Sequence, residues 1–235
     1  MVLRPFLYEE TSCASFLFGC PSTGKLAVVD AHLDLVDAYL EAAQRIGFPI
    51  SAVLETHVQA DHVSGQRELA TSVGATTFGP EDLTDGQVIE LGNTVVTTIA
   101  TPGHAPSHFA FAVADRRRGT EGPWLVFTGD SLLVGDVGRP DLHSGGDPTG
   151  LARQQYESMR GLLELPDHVL VYPSHFGGSV CGRGLSANPF STIGFERRNN
   201  PALAYDDPDR FAEALLVDVP PPPANQAQIV ARNRA

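Results

Sequence analysis

The stretch THVQADH, Thr56–His62, decides how the rest of the chain is read. It places His57, Asp61 and His62 in one short segment, and imidazole and carboxylate are donors that suit zinc, iron and manganese. The apolar run Ser51–Leu54 before it predicts a strand, and Ser64–Val73 after it has helical spacing and stops at Gly74. The segment is therefore a strand-to-helix loop. Similar placements recur along the chain. His104 follows Thr101-Pro102-Gly103, Asp130 ends the strand-like run Trp124–Phe127 with Thr128-Gly129 between, and His175 follows Val169–Tyr172 with Pro173-Ser174 between. One such histidine alone reads as a hydrogen-bonded structural residue, but metal-type donors at the ends of several strands point to a metal centre. His32, His143 and His168 fall outside the pattern and read as structural.

The surrounding segments alternate in type. Phe16–Phe18, Leu26–Val29 and Phe109–Val113 predict strands, Val88–Ile89 and Thr94–Ile99 a hairpin around Gly92-Asn93, and Leu33–Ile46 and Leu151–Leu163 helices. Strands early and late with helices between them imply layered sheets covered by helices, an α+β architecture. With 235 residues, 42% hydrophobic and 19% charged, the chain suits one globular core. Residues 1–205 are assigned to that domain and 206–235 to a C-terminal helix and a tail marked by Pro220–Pro223. A net charge of -12 disfavours nucleic acid and anionic membrane as partners. The basic run Arg116–Arg118, beside Gly119 and Gly122, reads as a solvated loop. No apolar run approaches the roughly 20 residues that span a bilayer, and MVLRPFLYEE lacks a signal-peptide pattern, so a cytoplasmic location is expected. Cys13, Cys20 and Cys181 have no CxxC spacing, which argues against a disulfide framework and against a structural zinc site.

Five motifs in order, THVQADH, TPGH (Thr101–His104), FTGD (Phe127–Asp130), GRPD (Gly138–Asp141) and YPSH (Tyr172–His175), resemble those of the metallo-β-lactamase superfamily. The resemblance runs from about Phe6 to Leu203 and implies an αββα sandwich, two mixed sheets flanked by helices, with the metal at one edge. TPGH, FTGDSLL and GRPD together are most similar to the persulfide dioxygenases, which oxidise glutathione persulfide with dioxygen and water to sulfite and glutathione at a mononuclear ferrous ion. GGSVCGRGLS (Gly177–Ser186) and STIGFERR (Ser191–Arg198) resemble a branch in which some members add a rhodanese domain. No stretch here reads as one, which makes a separate rhodanese-type sulfurtransferase an expected partner, beside a homodimer by family resemblance.

Hydrolases of this superfamily carry histidine at the position of Gln59. They use it in a first site with the other loop histidine and that of TPGH, and fill a second site with the Asp-His pair, the late histidine and a shared aspartate. Gln59 takes one ligand away. What the resemblance leaves is His57, His104 and Asp130, two imidazoles and a carboxylate suited to one Fe(II) per chain with open positions. Asp61, His62 and His175 are then expected to act in catalysis as an empty second site that holds water and orients the iron ligands. Arg139 in GRPD is a candidate anchor for a substrate carboxylate, with a structural salt bridge to Asp141 or Asp136 as the other reading. Arg183 is a second candidate anchor. Cys181 is read either as a group approaching the substrate sulfur or as a buried inert thiol. Two rivals stand beside the dioxygenase: a glyoxalase II-like thioester hydrolase with zinc or mixed metals, and a non-catalytic thiol or metal sensor.

Overall fold

The computed structural model describes residues 1–118, 122–223 and 225–235. Gly119, part of the loop reading, and Ala224, within the tail, lie outside them. A five-stranded sheet runs in sequential order through β1 (Val2–Tyr8), β2 (Cys13–Cys20), β3 (Lys25–Val29), β4 (Ile50–Leu54) and β5 (Thr76–Phe78), the last three mutually parallel. A second sheet contains β6 (Val88–Leu91), β7 (Thr94–Ala100), β8 (Phe109–Asp115) and β9 (Leu125–Gly129). The two-residue strands β10 (Leu132–Leu133) and β11 (Asp136–Val137) pair with each other. β12 (Leu170–Pro173) joins the second sheet parallel to β9, and β13 (Ser191–Thr192) forms its edge. Three buried layers show why these elements stack. In β2 the period-2 alternation sends Phe16 and Phe18 between the sheets, where they meet Phe111 and Phe127, and sends Leu17 to the other side. There the helices α1 (Val36–Ile46) and α2 (Gln66–Val73) bury Tyr39 and Leu69 against Leu17, Val28 and Val53. On the outer face of the second sheet, α3 (Pro148–Leu162) buries Met159 and Leu162 against Val126 and Val171. The result is the expected αββα sandwich.

Local chemistry ends the elements where the sequence predicts. Gly47 and Gly74 close α1 and α2 in the left-handed conformation, at φ 86° and 69°, which glycine adopts without a Cβ penalty. Leu33–Leu35, expected as the start of the first helix, is instead a 3-10 turn capped by His32. β1 was not foreseen; it is an edge strand that tolerates Pro5, because an edge residue need not donate to a further ladder. Arg116–Arg118 is an exposed 3-10 turn. The short helix α4 (Ile193–Asn199) follows β13. Among the described residues beyond 205 lie two helices rather than one. α5 (Pro208–Leu216), capped by Asp207, buries Phe211, Ala212 and Leu215 in the layer that α3 occupies. α6 (Gln226–Arg234) packs by the loop after β4, where Asn233 donates to the Gln59 and His62 carbonyls. Among the described residues no helix is long and apolar enough to cross a membrane.

Candidate metal centre

β3 and β4 in one sheet and β9 and β12 in the other are parallel pairs, so their carboxyl ends lie at the same edge. Asp30, His57, Asp130 and His175 follow those four ends within three residues. His104 comes from the β7–β8 connection. The structure thus gathers His57, His104 and Asp130, all buried, with one donor atom from each within 4.8 Å of the others. Nε2 of His104 and of His57 lie 3.5 and 3.9 Å from Asp130 Oδ2, a buried oxygen without a hydrogen-bond partner. Two imidazoles and an orphaned carboxylate oxygen converging on one point fit a bound cation.

Surrounding groups fix which nitrogen of each ligand is free. Thr56 Oγ1 donates its only proton to Asp30, so it accepts from His57 Nδ1 at 2.9 Å, and His57 Nε2 is left with a lone pair. His104 Nδ1 donates to the Arg139 carbonyl at 2.8 Å, which frees its Nε2 in the same way. Burial lowers the pKa of both rings, keeping them neutral. Burial would raise that of Asp130, but the neighbouring imidazoles, His175 first, outweigh it and hold the carboxyl ionised. The centre therefore offers two lone pairs and one negative charge.

Several residues that build this geometry escaped the sequence reading. His108 stacks on His57 with ring centres 5.0 Å apart, and its Nε2 accepts from the Asp130 amide. Burial lowers its pKa to about 3, so it is a neutral spacer and not a ligand. Asp30 anchors Thr56 and accepts from Ser174. Gln155 on α3 is fully buried; it accepts from the His104 amide and donates to the Ser131 carbonyl, each at 2.6 Å, tying two loops together. Gly129, at φ 53°, has no room for a side chain: a Cβ there would lie 2.5 Å from Thr56 Oγ1 and 2.7 Å from His108 Nε2. For Asp30 a sequence signal existed, because it directly follows an apolar strand as the ligands do. For Gln155 none did.

The other expected site residues divide. His175 lies between two carboxylates, Nδ1 2.6 Å from Asp130 and Nε2 2.8 Å from Asp61, and His62 Nδ1 is 3.0 Å from Asp61. Asp61, His62 and His175 thus adjoin the centre. Arg139 does not face it. Its guanidinium makes a bidentate pair with Asp141, both bonds 2.8 Å, and also donates to the Val180 and Pro220 carbonyls. At 5% exposure it is buried in that ion pair, one of its two readings. Arg183, the second candidate anchor, donates to the Ala214 and Val217 carbonyls at the end of α5. Cys181 is buried with its thiol pKa raised by that burial, 4.0 Å from His175 Nε2. His143, read as structural, stands over the centre with its ring 5.9 Å from that of His104, and its Nε2 has no partner. His32 stacks on His62, and His168 is exposed. Gln59 is 1% exposed with neither amide atom paired, while its backbone carbonyl accepts from Asn233 of α6.

No protein-family model matches the chain. A hydroxyacylglutathione hydrolase of Chelativorans sp. (strain BNC1) is 32% identical over 205 residues, 80% of this chain and 74% of the relative. The mitochondrial persulfide dioxygenase ETHE1 of Bos taurus is 28% identical over 213 residues, 86% of this chain and 76% of the relative. Among solved structures, a metallo-β-lactamase from Staphylococcus aureus subsp. aureus COL superposes with a TM-score of 0.92 at 32% identity, over 99% of this chain and 72% of that one.

Proposed function

The chain belongs to the metallo-β-lactamase superfamily, and within it we propose that it is a persulfide dioxygenase, oxidising glutathione persulfide or a similar small thiol persulfide to sulfite and free thiol. One observation carries this reading: His57, His104 and Asp130 form a self-contained set of three donors, with Gln59 where a hydrolase would add a third imidazole. A ferrous ion held there would supply open coordination positions for dioxygen and sulfur and the electrons that activate oxygen. The chain's own residues do the rest. Thr56 and the Arg139 carbonyl hold the two imidazoles in the metal-binding tautomer, and His175 holds Asp130. Burial of the centre excludes bulk water. The reading carries with it a homodimer, a cytoplasmic setting and a separate sulfurtransferase as supplier of persulfide.

A cavity of about 180 Å³ lies beside His143, lined also by Val58, Glu81, Ser107 and Arg234. In this reading Arg234, on α6, is the cation that faces this cavity and anchors the substrate. Arg234→Ala is expected to raise KM for the persulfide with kcat little changed, a loss of about 1.5–3 kcal/mol for a charge-assisted hydrogen bond. Arg139→Ala is expected to lower the melting temperature and leave KM alone. The reverse pattern would return the anchor to Arg139. The reaction itself is tested by metal analysis of protein purified without oxygen, together with oxygen uptake on glutathione persulfide and hydrolysis of a glutathione thioester. Iron at the three-donor centre with persulfide-dependent uptake is the expected result. The hydrolase alternative, favoured by the presence of Asp61, His62 and His175, predicts zinc-supported thioester cleavage without oxygen uptake.

A further inference from the structure

Buried polar atoms without a hydrogen-bond partner are few in a native fold, and each asks for a reason. Among the described residues six side-chain atoms are in that state, and five of them belong to Gln59, His62, Asp130 and His143, in the centre or in the segments that build it. Asp130 Oδ2 has its reason in the cation that the centre fits. His143 Nε2 does not share it. The ring centre of His143 lies 5.9 Å from that of His104 and 6.5 Å from that of His57, against 4.9 Å between those two rings themselves. Nor is His143 among the residues whose donor atoms converge within 4.8 Å. It therefore stands too far out to join the donor set, with space between for a small bound group.

The chain holds the ring in that position. Arg139 grips Asp141 through two bonds of 2.8 Å, and the Ser144 amide donates to the Asp141 carbonyl at 3.3 Å, closing the turn that carries His143. The Leu142 carbonyl, next to it, accepts from Gln226 of α6. The Arg139 carbonyl accepts from His104 Nδ1, which ties the start of the same segment to a metal donor. His143 also lines the cavity of about 180 Å³ that Arg234 lines. An imidazole nitrogen left unpaired on the wall of a cavity beside a metal centre is suited to hydrogen bonding with what that cavity receives.

We propose that His143 is a further catalytic residue of this site, its Nε2 donating a hydrogen bond to the anionic terminal sulfur of the persulfide held at the open side of the three-donor centre. Nδ1 is then the acceptor nitrogen of the ring, and no proton is transferred. The substrate is held at both ends, its carboxylate by Arg234 and its sulfur by His143. A hydrogen bond to a charged atom is roughly twice as strong as one between neutral groups, so the contact favours the ionised substrate. The identity of the sulfur rests on the dioxygenase reading, whereas a hydrogen bond from His143 to an anion at the centre needs only the metal.

The test uses azide, a small anion that takes open metal positions, titrated into the full chain loaded with Co(II) without oxygen and followed in the visible spectrum of the cobalt. His143→Phe is expected to bind Co(II) as the wild type does and to melt no lower, because it keeps the ring shape and removes an unpaired buried nitrogen. Its azide affinity should nevertheless fall roughly 10-fold or more, the loss of one hydrogen bond to a charged group. His143→Gln, which carries an amide donor, should restore most of that affinity. If His143→Phe fails to fold, judged by circular dichroism, His143→Ala decides by the same titration. No azide binding by the wild type, unchanged azide affinity in the folded variant, or an equal loss of Co(II) affinity would overturn the proposal. Absence of oxygen uptake on glutathione persulfide with the azide effect intact would instead overturn the dioxygenase reading and leave the hydrogen bond standing.

Discussion

Asp130→Ala is expected to remove one bound metal equivalent altogether, a larger loss than any change outside the three donors can produce. Its Oδ2 is the only anionic donor of the first centre and has no other partner. The two remaining imidazoles are neutral, so nothing in the set would offset the cation's charge. Thr56→Val is the calibrating comparison. It deletes the acceptor of His57 Nδ1–H and the link to Asp30 but leaves every donor in place, and loss of an outer partner of this kind costs about 10–100-fold in affinity. The measurement is anaerobic competition of Fe(II) between protein and a chromophoric chelator. If Asp130→Ala kept its iron at wild-type affinity, the three-donor centre would be wrong, and the function proposed for it would lose its support.

The contrast between those two substitutions also marks how far the sequence could be read. His57, His104, Asp130 and His175 were legible because each is a metal-type residue placed just after an apolar run or a turn motif, and such placement survives into three dimensions as a strand end. Thr56 and Asp30 are adjacent to those strand ends and differ from ordinary strand-terminating residues only by what they touch. Gln155, Asn233 and Cys13 act across sequence separations of 51, 174 and 162 residues, to His104, Gln59 and His175, and no local pattern encodes such a pairing. Arg139 was legible in two ways, as an anchor or as a partner of Asp141. The structure pairs its guanidinium with Asp141, two residues on. The sequence placed a C-terminal helix after residue 205, and Phe211 and Leu215 pack α5 into the core cluster of the second sheet.

The second large effect is expected at Gln59. Its side chain is buried with both amide atoms unpaired, an arrangement that costs about 1–3 kcal/mol for each polar group left unsatisfied. Its backbone is pinned by Asn233, which also holds the His62 carbonyl, so a substitution there changes the side chain without freeing the loop. Gln59→His places a third imidazole beside His57 in the segment that already bears two of the first centre's neighbours, Asp61 and His62. Imidazole-rich sites hold zinc well, and the ordinary affinity order places Zn(II) above Fe(II). The variant is therefore expected to bind more zinc at the first centre, to lose persulfide-dependent oxygen uptake in the same proportion, and to gain weak thioester hydrolysis. The hydrolytic gain is the smallest of the three effects, because a pocket shaped for a persulfide need not place a thioester carbonyl within reach of attack. Wild type and variant, loaded with equal iron and zinc without oxygen, are compared for bound metals and oxygen uptake. Identical metal selectivity and identical uptake would mean that position 59 does not choose between oxygenase and hydrolase chemistry. The assignment would then lose its one distinguishing residue, because Asp61, His62 and His175 are present in either reading.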